Sequence, residues 1–350
     1  MSRNDYFSIL NASPLPQILV GADEKIMAAN PPASRLLGQG IVTRHYITGL
    51  RQPAVLDCFE YVLSGRALVS EAQYLAAEAT RETTYRVVAA RVEMDEAWGI
   101  LVTFVDTTDL QEAGQMRRDF VANVSHELRS PLTALMGFIE TLRGPARDDP
   151  AARDRFLGIM EREAGRMNRL VRDLLSLSRV ESEERVQPQE RVDVGEVLAL
   201  VVSSLRPASD EAGMQVDVST PAGPAYVRGD SDQLAQVVSN LLENAIKYGG
   251  GGSKVEIALS ISPYESSLRG AAVVLEVADN GEGFDPVHIP RLTERFYRVD
   301  NHRSREMGGT GLGLAIVKHI ISRHRGRLQI ETEQRAGSRF TVMLPAAEAV

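Results

Sequence analysis

The stretch Phe120-Val-Ala-Asn-Val-Ser-His126-Glu127-Leu-Arg-Ser130-Pro131-Leu132 has the pattern of an amphipathic helix with a histidine on its polar side. His126 lies two residues from both Val124 and Leu128, so it projects away from them, toward solvent. Pro131 has no N–H for the carbonyl of Glu127, which predicts a bend within a turn of the histidine. Apolar residues recur at steps of three, four or seven and form one stripe: Phe120, Val124, Leu128, Leu135, Ile139 and Leu142. Such a stripe predicts contact with a partner helix.

His126 and Glu127 form a candidate site for phosphoryl transfer. A neutral imidazole has a lone pair that can attack phosphorus, and a neighbouring carboxylate can fix its tautomer or accept the second ring proton. The alternative is an ordinary surface histidine on an amphipathic helix. The stretch resembles the H-box of two-component sensor histidine kinases, which implies that His126 accepts a phosphoryl group. The family often has Thr or Asn where this chain has Ser130. The resemblance implies that this residue orients water for dephosphorylation of the partner.

Length, charge and cysteine usage limit the class of protein. The 350 residues predict two or three domains, and a net charge of −8 without a long basic run argues against nucleic-acid binding. A single cysteine, Cys58, excludes an internal disulfide and a Cys-rich metal site, which fits a reducing cytoplasm. The apolar runs fall far short of the roughly 20 residues of a membrane span, and no signal peptide is evident. We therefore expect a cytoplasmic sensor, unless a membrane anchor precedes this chain.

Residues 1–110 predict a sensor domain. Short apolar runs alternate with turn residues, which is typical of strands around short helices; the runs are 17–22, 26–30, 85–88 and 100–105. The pattern from Ile18 to Gly38, with Asn30 before Pro31, resembles a PAS domain. Such a domain can hold a cofactor, a metabolite or nothing. The sequence around Cys58 does not resemble a flavin-adduct motif, and His45 alone is weak support for haem, so a structural or dimerising role is favoured.

Residues 111–185 predict a helical hairpin. Gly144-Pro145 and Asp148-Asp-Pro150 break the first helix, and a second apolar stripe follows; it consists of Phe156, Ile159, Met160, Met167, Leu170, Val171, Leu174 and Leu177. One hairpin cannot bury both stripes, whereas two copies form an antiparallel four-helix bundle, so a homodimer is expected. The resemblance implies the same dimer. The second helix also carries four arginines, which we expect either to form a solvated face or to bind a response regulator: Arg162, Arg166, Arg169 and Arg172.

A linker without apolar periodicity spans residues 183–192, and an α/β domain follows over 190–350. Strand patterns occur at 254–260, 273–278, 328–332 and 340–344. Asp230 three residues before Gln233 predicts the start of a helix that ends at Tyr248. The spacing predicts that one face of this helix is apolar and consists of Leu234, Val237, Val238, Leu241 and Ala245. The opposite face is polar and consists of Gln233, Gln236, Asn240, Glu243, Asn244 and Lys247.

The polar face of that helix suits a nucleotide. Asn oxygens are ligands for Mg²⁺, and a lysine can contact a phosphate. The segment 240–248 resembles the N-box of the family, which implies Mg²⁺ at Asn244, phosphate contacts for Asn240 and Lys247, and adenine packing for Tyr248. Related ATPases of the gyrase and Hsp90 kind have a water-activating Glu at the position of Asn240. An amide is no general base, so the site is predicted to protect ATP from water.

Two glycine-rich segments complete this nucleotide site. The first, Asp279-Asn-Gly281-Glu-Gly283, follows a strand pattern and resembles the G1 box, which implies that Asp279 reads the adenine amine. The second opens a helix, where free N–H groups and the helix dipole favour phosphates. It resembles the G2 box and comprises Gly308, Gly309, Thr310, Gly311, Leu312, Gly313 and Leu314. The spacing fits neither a P-loop nor a Rossmann fingerprint.

Residues 286–309 predict a mobile lid over a polyphosphate, because they are rich in Arg and His, including His302, Arg303 and Arg305. The segment 294–298 resembles the F-box, which implies that Phe296 packs the lid and that Arg298 approaches the γ-phosphate. The family usually has Phe where this chain has Thr293, so weaker anchoring of the lid is expected.

Together these patterns predict a multidomain α+β protein: a PAS sensor domain, a helical-hairpin dimerisation domain and a Bergerat-type α/β sandwich that binds ATP. The resemblance, closest to sensor kinases of the phosphate-regulon type, implies a protein histidine kinase that uses ATP and Mg²⁺, phosphorylates His126 and passes the group to an aspartate of a response regulator. The alternatives are a GHKL-type ATPase that drives a clamp and a phosphatase-dominant or non-catalytic scaffold.

Overall fold

The structure of the protein, a computed structural model, describes residues 3–77, 82–94, 97–184, 186–249, 254–299 and 309–347. The chain divides into two compact units, Met1–Ala122 and Asn123–Val350. One long helix, Thr108–Arg143, contributes residues to both units.

The first unit is built on one antiparallel sheet with the strand order β2-β1-β5-β4-β3. Its strands are β1 Gln17–Gly21, β2 Ile26–Ala29, β3 Val69–Ala77, β4 Glu82–Glu93 and β5 Trp98–Asp106, and its helices are α1 Arg3–Ala12, α2 Pro31–Leu37, α3 Tyr46–Gly49 and α4 Pro53–Leu63. The four strand patterns of the sequence are confirmed. Strand β3 had no predicted counterpart, because only one face of this edge strand is apolar enough to pack against α4.

The candidate cofactor residues of the first unit serve its packing. Cys58 is buried in the apolar core beside Phe59, as a free thiol. His45 lies at the surface, where its Nε2 is 2.9 Å from Glu24 Oε2 and its Nδ1 accepts from the Ile47 N–H. Both side chains therefore make contacts within the first unit itself.

Asn30 connects three segments of the first unit from a fully buried position. Its Oδ1 accepts from the backbone N–H groups of Gln17 and Ala33, so it caps α2 and fixes the start of β1. Its Nδ2 donates to the carbonyls of Leu10 and Leu15, which hold the end of α1. A buried amide with all these partners is costly to replace, because each partner would be left without a hydrogen bond.

Asn30→Asp should destabilise the first unit by about 1–3 kcal/mol, because a carboxylate keeps the acceptors but cannot donate to Leu10 and Leu15. Urea unfolding followed by the fluorescence of Trp98 measures this unit alone, since Trp98 is the single tryptophan of the chain. Asn11→Asp, at an exposed site on α1, is the matched control. Equal midpoints for the two variants would contradict the assignment.

The second unit begins with the predicted hairpin of α5 Thr108–Arg143 and α6 Pro150–Glu183. The break is confirmed, and Asp149 caps α6 by accepting from the Ala152 N–H. Helix α5 continues through Pro131 without a break. Across the hairpin the rings of Phe138 and Phe156 stack with centroids 5.3 Å apart.

The predicted apolar stripes are only partly covered within one hairpin. Leu170 and Leu177 are buried, whereas Val171 and Ile139 of the predicted stripes are exposed. Their neighbours Leu132 and Met136 on α5 and Leu175 on α6 are also exposed. A row of uncovered apolar side chains therefore runs along the hairpin.

An α/β layer follows the hairpin in the same unit. Its helices are α7 Val194–Glu211, α8 Ser231–Tyr248 and α9 Gly313–Arg323, and a 3₁₀ helix spans Pro286–Arg291. Its strands are β6 Arg191–Asp193, β7 Gln215–Ser219, β8 Tyr226–Arg228, β9 Lys254–Glu265, β10 Gly270–Asp279, β11 Arg327–Glu333 and β12 Gly337–Pro345. The main sheet has the order β11-β12-β10-β9-β7, with β7 and β9 parallel. The predicted strands are confirmed; the short β6, β7 and β8 were not predicted.

The helices of this layer share one apolar core. Helix α8 contacts α7, α9 and β10, and its Leu241 is fully buried, as is Ile316 of α9. Within the described ranges, no helix combines the length and apolar character needed to cross a membrane.

Candidate nucleotide site

Helix α8 forms one wall of the candidate site. Its N-terminus lies where the sequence predicts it, because Asp230 Oδ1 accepts from the Gln233 N–H at 3.1 Å. The apolar face is confirmed, since Leu234, Val237, Val238, Leu241 and Ala245 are all buried. Gln233 was wrongly assigned to the open polar face. It is buried in the first turn, and its Oε1 makes no hydrogen bond among the described residues.

A cavity of about 1270 Å³ lies between α8, the glycine-rich segments and the hairpin. This volume exceeds the roughly 300–1000 Å³ of typical ligand pockets, so it is large enough for a nucleotide. Most of the predicted binding residues line it: Asn240, Asn244, Lys247, Tyr248, Asp279, Gly283, Arg298, Gly309, Thr310, Gly311 and Gly313. Of the remaining three, Leu312 is fully buried at the start of α9, whereas Gly281 and Phe296 shape the loops around the cavity.

The first glycine segment brings the backbone close around Asp279, at the end of β10. Its Oδ1 accepts from the Gly281 N–H at 2.9 Å, and burial raises the pKa of the Asp279 carboxyl. A Cβ on Gly281 would lie 2.8 Å from the carbonyl oxygen of Tyr248. Glycine is therefore required here because the two loops approach too closely for a side chain.

The second glycine segment is tied to the lid through the backbone. The Phe296 N–H donates to the Gly311 carbonyl at 2.8 Å, and a Cβ on Gly311 would come within 2.9 Å of the Phe296 Cα. Gly311 also has a φ of +72°, in the region that favours glycine. The lid residues His302, Arg303 and Arg305 lie outside the described residues.

Two side chains of α8 indicate whether the cavity could accept a triphosphate. Asn240 Nδ2 is buried and makes no hydrogen bond among the described residues. Such an amide in a cavity wall is a donor that ligand oxygens would satisfy. Lys247 Nζ lies at the same wall, 2.8 Å from Glu243 Oε2, and its side chain is partly exposed. The residues present therefore fit an anionic ligand.

On α5, His126 and Ser130 are exposed, as the helical periodicity predicts. Glu127 is turned inward, and its side chain is only 15% exposed. Its Oε2 lies 2.8 Å from Arg166 Nη2 on α6 and 3.1 Å from Arg298 Nη2 in the lid segment. The expectation of a solvated face was therefore wrong for Arg166, because the hairpin brings it against Glu127. Arg298, expected at a phosphate, contacts this carboxylate.

The hairpin also supplies part of the cavity wall, which no sequence motif indicated. Arg169 and Arg172 line the cavity, together with Asp173 and Ser176. Thr310 Oγ1 donates to Asp173 Oδ2 at 2.7 Å, and burial raises the pKa of Asp173. One turn along α6, Ser176 Oγ donates to Gln236 Oε1 on α8 at 2.7 Å.

An acidic end of α6 continues this contact. Glu181 accepts from Arg295 Nη2 at 2.6 Å, and Glu183 pairs with Arg323 at 2.8 Å. Glu184 Oε2 lies 3.1 Å from His319 Nδ1. The second helix of the hairpin is therefore docked along the α/β layer by polar contacts from Asp173 to Glu184.

His324 supports the start of α8 from the end of α9. It is buried, its Nδ1 donates to the Ile320 carbonyl at 2.7 Å, and its Nε2 accepts from the Asp230 N–H at 3.0 Å. Both bonds together require the neutral imidazole with the proton on Nδ1. Burial lowers the pKa of His324.

Comparison with known families assigns both halves of this unit. Residues 116–183 match the His Kinase A (phospho-acceptor) domain, and residues 229–348 match the histidine kinase-, DNA gyrase B-, and HSP90-like ATPase. These two domains in this order define a protein histidine kinase. The chain belongs to the two-component sensor histidine kinases.

Individual relatives agree with this assignment. The chain is 42% identical over 244 residues to the phosphate regulon sensor protein PhoR of Pseudomonas aeruginosa, which covers 69% of this chain and 53% of PhoR. It is 38% identical over 258 residues to the sensor-like histidine kinase SenX3 of Mycobacterium tuberculosis, which covers 73% of this chain and 61% of SenX3. The chain thus spans little more than half the length of these curated relatives.

One solved structure matches almost the whole chain. The histidine kinase ThkA, crystallised in complex with the response regulator protein TrrA, aligns with 97% of this chain and 98% of its own at a TM-score of 0.53. The sequence identity is 21%, so the match concerns the fold.

The ATP-binding layer should lose stability as the pH falls below about 6.5, because His324 must stay neutral to accept from Asp230 while the unfolded chain binds a proton there. This contribution is complete above the unfolded-state pKa and declines, by at most about 1.4 kcal/mol per pH unit, down to the lowered pKa of the folded state. Urea unfolding by circular dichroism between pH 7.5 and 5.5 measures it. His324→Gln should flatten the slope, whereas exposed His126→Gln should keep it; equal slopes for wild type and His324→Gln would refute this role.

Proposed function

We propose that this chain is an ATP-dependent protein histidine kinase that transfers the γ-phosphoryl group of ATP to His126 and then to an aspartate of a response regulator. One observation carries the proposal: the lid segment of the ATP-binding layer reaches the phospho-acceptor helix, where Arg298 contacts Glu127, the residue next to the exposed His126. The nucleotide cavity and the acceptor histidine thus belong to one compact unit.

Different residues of the cavity are proposed to bind different parts of the nucleotide. Asp279, at the end of β10, would bind the adenine amine beside Tyr248, with Gly281 and Gly283 allowing close approach of the backbone. Asn240 and Lys247 would contact phosphates from α8. The N-terminus of α9 would receive phosphates at Gly309, Thr310, Gly311, Leu312 and Gly313, because its N–H groups and dipole favour anions.

Asn244 would hold Mg²⁺ on the phosphate side of α8. Among the described residues no group of three or more His, Cys, Asp or Glu side chains could hold a metal ion, so most ligands would be phosphate oxygens and water, as is usual for Mg²⁺. When bound, the ion would neutralise charge on the β- and γ-phosphates.

His126 would act as the nucleophile, because its side chain is exposed and a free imidazole nitrogen can attack the γ-phosphorus in line with the departing ADP. Glu127 would orient the imidazole and accept its second proton. That role requires Glu127 to exchange its contacts with Arg166 and Arg298 for a contact with His126. Arg298, once released, would approach the γ-phosphate, while Phe296 keeps the lid attached to Gly311.

The partners follow from the same helices. Exposed Ser130, one turn from His126, would face an incoming response regulator and orient water for its dephosphorylation, although serine lacks the methyl group that restrains threonine. The exposed apolar row of Leu132, Met136, Ile139, Val171 and Leu175 supports a homodimer in which two hairpins form a four-helix bundle.

The first unit is proposed to be a PAS sensor domain, supported by its five-stranded antiparallel sheet with α2, α3 and α4 between β2 and β3. We propose domains at 1–110, 111–185 and 190–350. The same composition that excludes disulfides and a nucleic-acid footprint supports a cytoplasmic location for these domains.

His126→Gln should reduce incorporation of label from γ-labelled ATP to background, because glutamine has no nucleophilic imidazole. The wild-type label should be acid-labile and alkali-stable, as expected for phosphohistidine. His45→Gln, which removes a surface histidine of the first unit, is the matched control and should keep the wild-type label.

Label that persists in His126→Gln would contradict the acceptor assignment. Release of free phosphate without bound label in the wild type would support a GHKL-type ATPase instead, and absence of any turnover would support a scaffold.

A further inference from the structure

Two hairpin carboxylates hold groups of the ATP-binding layer that are expected at phosphates. Asp173 Oδ2 accepts the Thr310 hydroxyl of the second glycine segment at 2.7 Å. Glu127 contacts the guanidinium of Arg298 at 3.1 Å. Asp173, Thr310 and Arg298 all line the nucleotide cavity. The hairpin therefore contributes a carboxylate, Asp173, to the cavity wall directly at the second glycine segment.

The Thr310 hydroxyl has one proton to donate, so it cannot serve Asp173 and a phosphate oxygen at once. Carboxylate and phosphate oxygens are acceptors of the same kind, and both favour a helix N-terminus such as that of α9. The Asp173 carboxylate also lies close to the cations Lys247 and Arg172 and to the carboxylate of Glu243. A triphosphate at the glycine segment would meet this charge unfavourably.

We propose that Asp173 competes with the phosphates of the nucleotide for Thr310, so that nucleotide binding and docking of the hairpin on the ATP-binding layer oppose each other. The proposal rests on the proposed nucleotide site. Asp173 is a positioning residue in this scheme: it holds α6 against the cavity and lowers the affinity for nucleotide until the phosphates displace it.

The coupling has to be reciprocal, because a ligand that weakens docking is itself weakened by docking to the same extent. The nearby bond between Ser176 and Gln236 docks the same hairpin helix, α6, on α8 without touching the glycine segment. Its loss would weaken docking in general, whereas loss of Asp173 would also remove the direct competitor. Asp173 should therefore have the larger effect on nucleotide affinity.

The test measures binding of the non-hydrolysable analogue AMP-PNP with Mg²⁺ to the full chain by isothermal titration calorimetry. Asp173→Ala should lower the Kd about five- to tenfold, within the range of typical coupling between sites. Adenosine, which lacks phosphates, should bind the variant and the wild type equally. Glu161→Ala removes an exposed carboxylate from the same helix and should leave both affinities unchanged. Asp173→Asn, which keeps an acceptor but no charge, should give an intermediate Kd and covers a folding defect of the alanine variant.

A Thr310→Val background separates competition from general loosening of the hairpin. If Asp173 acts through the Thr310 hydroxyl, Asp173→Ala should tighten AMP-PNP binding much less in that background. Unchanged or weaker binding of AMP-PNP by both Asp173 variants would overturn the proposal, as would equal tightening of adenosine. A wild-type chain that binds no AMP-PNP and labels no histidine would instead refute the proposed function itself.

Discussion

The contact on which the second unit most depends is the carboxylate of Glu127 between the guanidinium groups of Arg166 and Arg298. All three side chains are largely removed from solvent, with exposures of 15% for Glu127 and Arg166 and 5% for Arg298. Desolvated charges are tolerated only when they are paired, and loss of one partner from such a group costs about 3–5 kcal/mol. This cluster therefore fixes the lid segment, the second helix of the hairpin and the acceptor helix relative to one another.

The same contacts have consequences for chemistry. Phosphoryl transfer depends mainly on positioning and on cations placed around the transferring group. Here Arg298 neutralises Glu127, and Thr310 donates to Asp173. In the proposed transfer to His126, both donors would exchange a protein carboxylate for a phosphate. On this proposal the hairpin stabilises an ordered arrangement that is not the catalytic one, and nucleotide binding would supply the free energy for leaving it.

Local sequence patterns predicted the parts of the fold that local physics determines. Asp230 and Asp149 mark helix starts because a short side-chain oxygen satisfies free N–H groups of the first turn, and α8 shows its apolar face through spacing alone. Edge strands such as β3 and β7 escaped prediction, because one-sided packing leaves few apolar residues. Gln233 was placed on the open face because helical spacing groups it with Gln236 and Asn240, whereas the folded layer buries it.

The docking contacts could not be predicted for a related reason. Asp173, Ser176 and Arg166 lie on α6 among many charged residues, and nothing in a helical pattern states which side meets another domain. Pairing of Glu127 with Arg166 or of Asp173 with Thr310 joins residues 39 and 137 positions apart. The glycine boxes were recognisable because close backbone approach demands glycine itself, whereas a docked surface accepts many polar residues.

The most direct test is a crystal structure of the full chain with Mg²⁺ and AMP-PNP. The account predicts that Arg298 has left Glu127 and that Thr310 donates to a phosphate oxygen in place of Asp173. A complex with the triphosphate bound at the glycine segment, in which Arg298 still contacts Glu127 and Thr310 still donates to Asp173, would contradict it.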